Sequence, residues 1–163
     1  MTALSYTPID SPVGPLLLIG DEHALHEIRF VHRRNPQSAD PHWTPNPAPF
    51  AEAIRQLQSY FSGERQEFNL PLALEGTDFQ LRVWRCLQTI PYGQTISYLQ
   101  LAERIGNPKA VRAVGLANGA NPVPIVVPCH RVIGSNGSLT GFGGGLPTKQ
   151  KLLALESRQL RLL

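Results

Sequence analysis

The chain has 163 residues, 42% of them hydrophobic, with a formal charge of +3 and a pI near 9.1. That length supports one good core or two small lobes. Its longest apolar runs, PLLLIG at 15–20 and VPIVVP at 123–128, fall far short of the roughly 20 residues that span a bilayer, so no membrane partner is expected. The mild positive charge permits an anionic partner, and the lack of any like-charge run excludes a polyelectrolyte tail.

The opening MTALSYTPID has no basic segment followed by an apolar one, so export is not expected and a cytoplasmic location is. In that reducing setting Cys86 and Cys129 are expected as thiols rather than as a disulfide. LSYTPID, PLLLIG and ALHEIRFV, separated by SPVG and Asp-Glu turns, predict a small meander of strands over residues 3–31. His23 and His26 flank one of these turns and read as surface residues. Residues 32–49 are rich in proline and polar side chains without periodicity, which predicts a long surface loop. Phe50, Ile54, Leu57 and Phe61 then repeat at helical spacing up to Gly63, and EFNLPLAL predicts a short closing strand.

A second lobe opens where Thr77 is followed three residues later by Gln80, a capping-box pattern ahead of Phe79, Val83, Trp84 and Leu87. Cys86 lies within this helical pattern and is expected to be buried and structural. IPYG at 90–93 stops the helix. Ser97 with Gln100 repeats the cap, and Gly106 suits the end of that helix. Asn107 and Pro108 predict the start of another helix, PKAVRAVGLANG, running to Gly119. Two short helices around a glycine-containing turn read equally as a helical hairpin or a helix-turn-helix. In the second of them Ala110, Ala113, Gly115, Ala117 and Gly119 leave little bulk, while Lys109 and Arg112 supply charge. Such a surface admits close approach by DNA or by a neighbouring helix. Residues 148–160 predict an amphipathic final helix carrying Glu156.

Between these helices IVVPCHRVIG places His130 and Arg131 beside Cys129. A thiol attacks as its thiolate, so basic neighbours that lower its pKa favour a reactive role. In a regular strand adjacent side chains point to opposite faces, so Cys129 and His130 cooperate only if the chain turns there or a water bridges them. Pro128 makes a break plausible. Glu156 reads either as a solvated charge or as a carboxylate that orients His130. No metal is expected, because there is no CxxC and a zinc site would need scattered histidines. TGFGGG at 140–145 lacks the Gly-Lys-Ser/Thr ending of a phosphate loop, so no cofactor is expected either.

The order and wording of these motifs go further. TIPYGQTISYLQLAERIGNPKAVRAVGLANGANPVPIVVPCHRVIG, then TGFGGG and KLLALE, closely resemble the O6-alkylguanine-DNA alkyltransferases over residues 77–157, and SPVGPLLLIG resembles the N-terminal lobe of bacterial members. The fold this implies is α/β of the α+β kind. A lobe over 1–76 would hold antiparallel strands and a helix, and a mainly helical lobe over 77–163 would contain a helix-turn-helix. The activity implied is transfer of the alkyl group of O6-alkylguanine in double-stranded DNA to Cys129, once per molecule, after the base is flipped from the minor-groove side. His130 would be the base through a bridging water and Glu156 the group that fixes it. Asn121 would hold the turn before the cysteine, and Tyr98 would donate to the guanine ring. Arg112 would replace the extruded base, with Lys109, Ala110, Ala113 and Gly115 against DNA. Pro124, Val132, Ser135, Phe142 and Gly143 would form the alkyl pocket, Phe142 standing where several relatives have tyrosine. The protein is expected to act as a monomer, with cooperative assembly on DNA left open. Two rival readings are a DNA-binding regulator without chemistry, against which Cys129 stands, and a cysteine hydrolase that turns over without DNA.

Overall fold

The computed structural model describes residues 3–31, 39–139 and 141–161. These divide into two compact units, residues 1–74 and 75–163. In the first, β1 (Ser5–Ile9), β2 (Leu16–Gly20) and β3 (Leu25–Phe30) form the antiparallel meander, and all of β2 is buried. A fourth strand, β4 (Thr44–Pro45), lies parallel to β1 and gives the order β3-β2-β1-β4. This strand falls in the stretch predicted as loop; at two residues it is too short to leave an alternating pattern. Residues 32–38 of that loop lie outside the described residues. Helix α1 (Ala51–Phe61) covers Leu57 and Tyr60 completely.

The closing strand predicted over EFNLPLAL does not form. Its backbone makes a single bridge, Leu25 to Leu72, flanked by hydrogen bonds from Leu25 N to Pro71 O and from Ala73 N to Leu25 O. Pro71 has no N–H to extend a ladder. The Gln56 side chain instead holds Asn69 at both its N–H and its carbonyl, at 2.8 and 3.0 Å.

The second unit is built from α2 (Asp78–Leu87), β5 (Ile96–Ser97), α3 (Tyr98–Arg104), α4 (Val111–Gly119), β6 (Val132–Ile133) and α5 (Leu146–Arg161). Both capping boxes are present, Thr77 with Gln80 and Ser97 with Gln100. Helix α3 ends at Gly106 (φ +81°), with Gly106 N on Glu103 O and Asn107 N on Ala102 O. This is the paired closure that a left-handed glycine permits.

Helix α4 starts at Val111, later than Asn107-Pro108 predicts. Ala110 N donates to Asn107 O at 3.0 Å, so Asn107 and Pro108 occupy the first two positions of a β-turn, which those residue types favour as strongly as a helix start. The parallel pair β5–β6 joins Ile96 to Val132 and Ser97 to Ile133. It sets the start of α3 beside the residues that follow Cys129. No helix among the described residues is long and apolar enough to cross a membrane.

Candidate active site

The segment before the cysteine is not a strand. Pro122, Pro124 and Pro128 remove N–H groups that a ladder would need, and the chain closes turns instead, from Val127 N to Val123 O (2.9 Å) and from Cys129 N to Val127 O (2.8 Å). Ile125 takes φ +75°, the one non-glycine among the described residues to do so. For a β-branched residue this is a strained conformation. Asn121 spans the loop, donating from Nδ2 to Val127 O at 2.8 Å and accepting from Val123 N at 3.0 Å. Cys129, His130 and Arg131 form one 3₁₀ turn, so the alternation of a strand does not separate them.

That turn carries a buried polar network. His130 is wholly buried, and its Nε2 lies 2.7 Å from Glu156 Oε2. Arg131 donates from Nε to Glu156 Oε1 (2.8 Å), from Nη2 to Oε2 (3.0 Å), and from Nη1 to Ile90 O (2.7 Å). Gly93 N adds a longer bond of 3.3 Å to Oε1. Burial pushes the Glu156 carboxyl up, but the bonds from His130 and Arg131 prevail and hold it down to about 2. An ionised carboxylate only accepts, so the imidazole proton sits on Nε2 and the Nδ1 lone pair is basic. Nδ1 is buried without a hydrogen-bond partner. Desolvation lowers the His130 pKa below 6.5, so the ring is neutral at physiological pH. Glu156 is therefore no solvated charge; it is 1% exposed.

The thiol departs from the sequence expectation. Its basic neighbours do not make it a resting thiolate, because burial pushes Cys129 up to about 11. The Asn121 side chain and the charge of Lys149 oppose that rise without reversing it. His130 offers no positive charge, and the Arg131 guanidinium is engaged with Glu156. Ionising such a thiol at neutral pH costs about 5 kcal/mol at 1.36 kcal/mol per unit, which calls for a general base.

Lys149 was not singled out by sequence. It is wholly buried in the first turns of α5, donates from Nζ to Val132 O at 2.6 Å, and lies 5.9 Å from the centre of the Tyr98 ring. Burial drives its ammonium below the usual 10.5, and the neighbouring thiol opposes this. A detectable signal existed: Lys149, Leu152 and Glu156 recur at i, i+3 and i+7, the stripe a helix buries. Asn118 was also missed. It lies buried on α4 and donates from Nδ2 to Cys129 O at 3.3 Å.

The other residues expected at the site are distributed as follows. Tyr98 is the half-buried first residue of α3. Arg112 and Ala113 are exposed on α4, and Gly115 is half-buried, where an added Cβ would meet the Tyr98 ring at 3.8 Å. Lys109 and Ala110 lie in the preceding turn, not on the helix as expected. Pro124 and Val132 are buried, Phe142 is half-buried, and Ser135 and Gly143 are exposed. Cys86 is half-buried rather than buried. His26 is half-buried too, its Nε2 3.0 Å from Asp21 Oδ2, whereas His23 is exposed as predicted. Among the described residues no group of three or more His, Cys, Asp or Glu is placed to hold a metal ion.

A buried thiol on a tight turn, followed by an imidazole whose far nitrogen is bound to a carboxylate, is an arrangement able to supply a nucleophile with a general base, and it is set beside a pair of short helices. Sequence profiles resolve the class. The DNA-binding domain of 6-O-methylguanine DNA methyltransferase matches residues 78–158, and the ribonuclease-like domain of the same proteins matches residues 4–74. The chain belongs to the 6-O-methylguanine DNA methyltransferase family. It is 57% identical to a methylated-DNA–protein-cysteine methyltransferase of Mycolicibacterium paratuberculosis, over 95% of this chain and 93% of that one. A Methanosarcina acetivorans protein of the same name is 52% identical over 93% of this chain and 97% of its own. The structure of Mycobacterium tuberculosis OGT in complex with DNA superposes with a TM-score of 0.89 at 54% identity, covering 95% of this chain and 94% of that one.

Proposed function

We propose that this protein repairs O6-alkylguanine in duplex DNA by taking the alkyl carbon onto Cys129, once per molecule. The observation that carries the reading is the buried turn that places Cys129 next to a neutral His130 bound to Glu156. His130 Nδ1 removes the thiol proton through one water, and Glu156 stabilises the imidazolium that forms. The sulfur then attacks the alkyl carbon in line. A carbon–sulfur bond forms, the carbon–O6 bond breaks, and its electron pair passes to the guanine ring, which takes a proton from Tyr98.

The target carbon lies inside the base stack, so the nucleotide must leave it. Helices α3 and α4 act as a helix-turn-helix, Arg112 fills the emptied place, and Lys109 meets a phosphate. Pro124, Val132, Ser135, Phe142 and Gly143 border the alkyl group, with Phe142 supplying an apolar wall. Asn121 keeps the loop in the conformation that presents the sulfur. The protein works as a monomer in the cytoplasm. Incubation with a methylated duplex should leave one methyl group on Cys129 by intact mass and peptide mapping, with repair reaching a plateau at one equivalent. Continued repair by unmodified protein would mean hydrolytic turnover and would overturn the reading.

A further inference from the structure

Leu116 is 72% exposed, the most exposed large apolar side chain among the described residues. One exposed leucine is ordinary on a protein surface; here its position carries the argument. Helix α4 buries Val114, Ala117 and Asn118. At 100° per residue the opposite face is centred on Arg112, Leu116 and Gly119, with Ala113 and Ala120 beside them. Arg112 and Leu116 are the only bulky side chains on that face.

We infer that Leu116 is a second, apolar probe of the DNA minor groove, seated against the sugar and base edges next to the position that Arg112 fills. The inference rests on the proposed use of α4 to bind duplex DNA. Leu116 stands one turn from Arg112, about 6 Å along the helix axis, which is less than two base-pair steps of 3.4 Å each. The glycine and alanines around it let the backbone come close enough for a four-carbon side chain to reach the groove floor. Apart from Arg112 the face has no side chain that hydrogen-bonds base edges, since Asn118 points into the protein toward Cys129 O. A face of this kind suits a groove read by shape and by apolar insertion, not one read by a donor and acceptor code. Once the lesion leaves the stack, Leu116 supports the flanking base that has lost a neighbour and keeps water from it.

The test compares transfer rates from a methylated duplex and from free O6-benzylguanine, using wild type, Leu116→Ala and Leu116→Met. Leu116→Ala should lower the ratio of duplex rate to free-base rate about tenfold, the size expected for withdrawing the apolar surface that leucine has beyond alanine. Leu116→Met, which keeps the bulk, should hold the ratio within about threefold of wild type. A 2-aminopurine beside the lesion should brighten more with Leu116→Ala than with wild type, because that base loses the side chain that supports it and keeps water away. An unchanged ratio in Leu116→Ala overturns the inference, and so does a Met variant as impaired as the alanine one. Wild type that fails to alkylate Cys129 with either substrate overturns the underlying reading instead, and melting curves check that the exposed substitutions leave the fold intact.

Discussion

Glu156→Gln tests the buried network with almost no change of shape. Each carboxylate oxygen accepts two hydrogen bonds, Oε1 from Arg131 Nε and Gly93 N, Oε2 from His130 Nε2 and Arg131 Nη2. An amide has one acceptor oxygen and one NH₂ group. In either orientation the NH₂ faces a donor, and the guanidinium loses its counter-charge in a site that is 1% exposed at Glu156 and 6% at Arg131. Leaving one member of a buried pair uncompensated costs about 3–5 kcal/mol. The effect on chemistry is separate. If the amide turns its NH₂ toward Nε2, the ring must carry its proton on Nδ1, and the lone pair that takes the thiol proton is lost. A fall in transfer of at least about a hundredfold follows, the lower end of what general-base catalysis contributes. Urea unfolding gives the first quantity, and the single-turnover rate with O6-benzylguanine gives the second. A Gln variant within about 1 kcal/mol of wild type would refute the claim that Glu156 balances a buried charge. A wild-type rate would refute the tautomer argument.

Cys129→Ser should abolish transfer, while Cys86→Ser, on a half-buried thiol outside the network, should keep it; an alkyl group mapped to Cys86 would overturn the assignment. Stability should fall as pH drops. His130 has a folded pKa below its ordinary 6.5, so below pH 6.5 the unfolded chain binds a proton that the folded one refuses. Glu156, held down to about 2 from 4.5, adds a further loss between those values. Melting temperatures that stay flat from pH 7 to pH 4 would contradict both shifts. Gly115→Ala should stabilise the protein by about 0.5–1 kcal/mol, because its Cβ would touch the Tyr98 ring only at ordinary contact distance; a lower melting temperature would show that the ring cannot yield. The alkylated protein should melt below the fresh one, as paired melting curves would show; an equal or higher midpoint would mean that the added group is accommodated without loss.

Much of this fold was legible because its signals are local. Both capping boxes, the glycine after α3 and the turns that separate β1, β2 and β3 depend on residues close together in sequence. What escaped depends on partners distant in sequence. The β5–β6 pair has two residues on each side and unites positions 96 and 132. Asn107-Pro108 satisfies the rules for a turn and for a helix start, and only the packing of α4 selects the turn. At the site, Cys129 and His130 stood out as a motif, but the state of the thiol did not. Adjacent basic residues suggest a lowered pKa; burial reverses this by enclosing the sulfur while one cation is tied to Glu156 and the imidazole stays neutral. Lys149 was hidden because lysine on an amphipathic helix usually marks the wet face, and here it marks the dry one.

On the proposed reading, the two faces of α4 let DNA binding and alkyl transfer share one short segment. Arg112 and Leu116 look outward, while Asn118, on the opposite side of the same nine-residue helix, donates to the carbonyl of Cys129. Trp84 fixes the helix from beneath through its Nε1 bond to Ala117 O at 2.8 Å. With Cys129 5% exposed, an alkyl group on its sulfur would take space from its neighbours, among them the segments that Asn118 and Asn121 hold by hydrogen bonds. Asn121 holds the loop through Val127 O and Val123 N, beside a residue already strained at φ +75°. A close-packed interior does not absorb even one methylene without displacement, so the bonds of Asn118 and Asn121 are the first to lengthen. Alkylation would also remove the ionisable thiol, whose charge favours the buried Lys149 ammonium. Loss of packing at the root of α4 is therefore expected to loosen, in a spent molecule, the helix proposed to meet DNA.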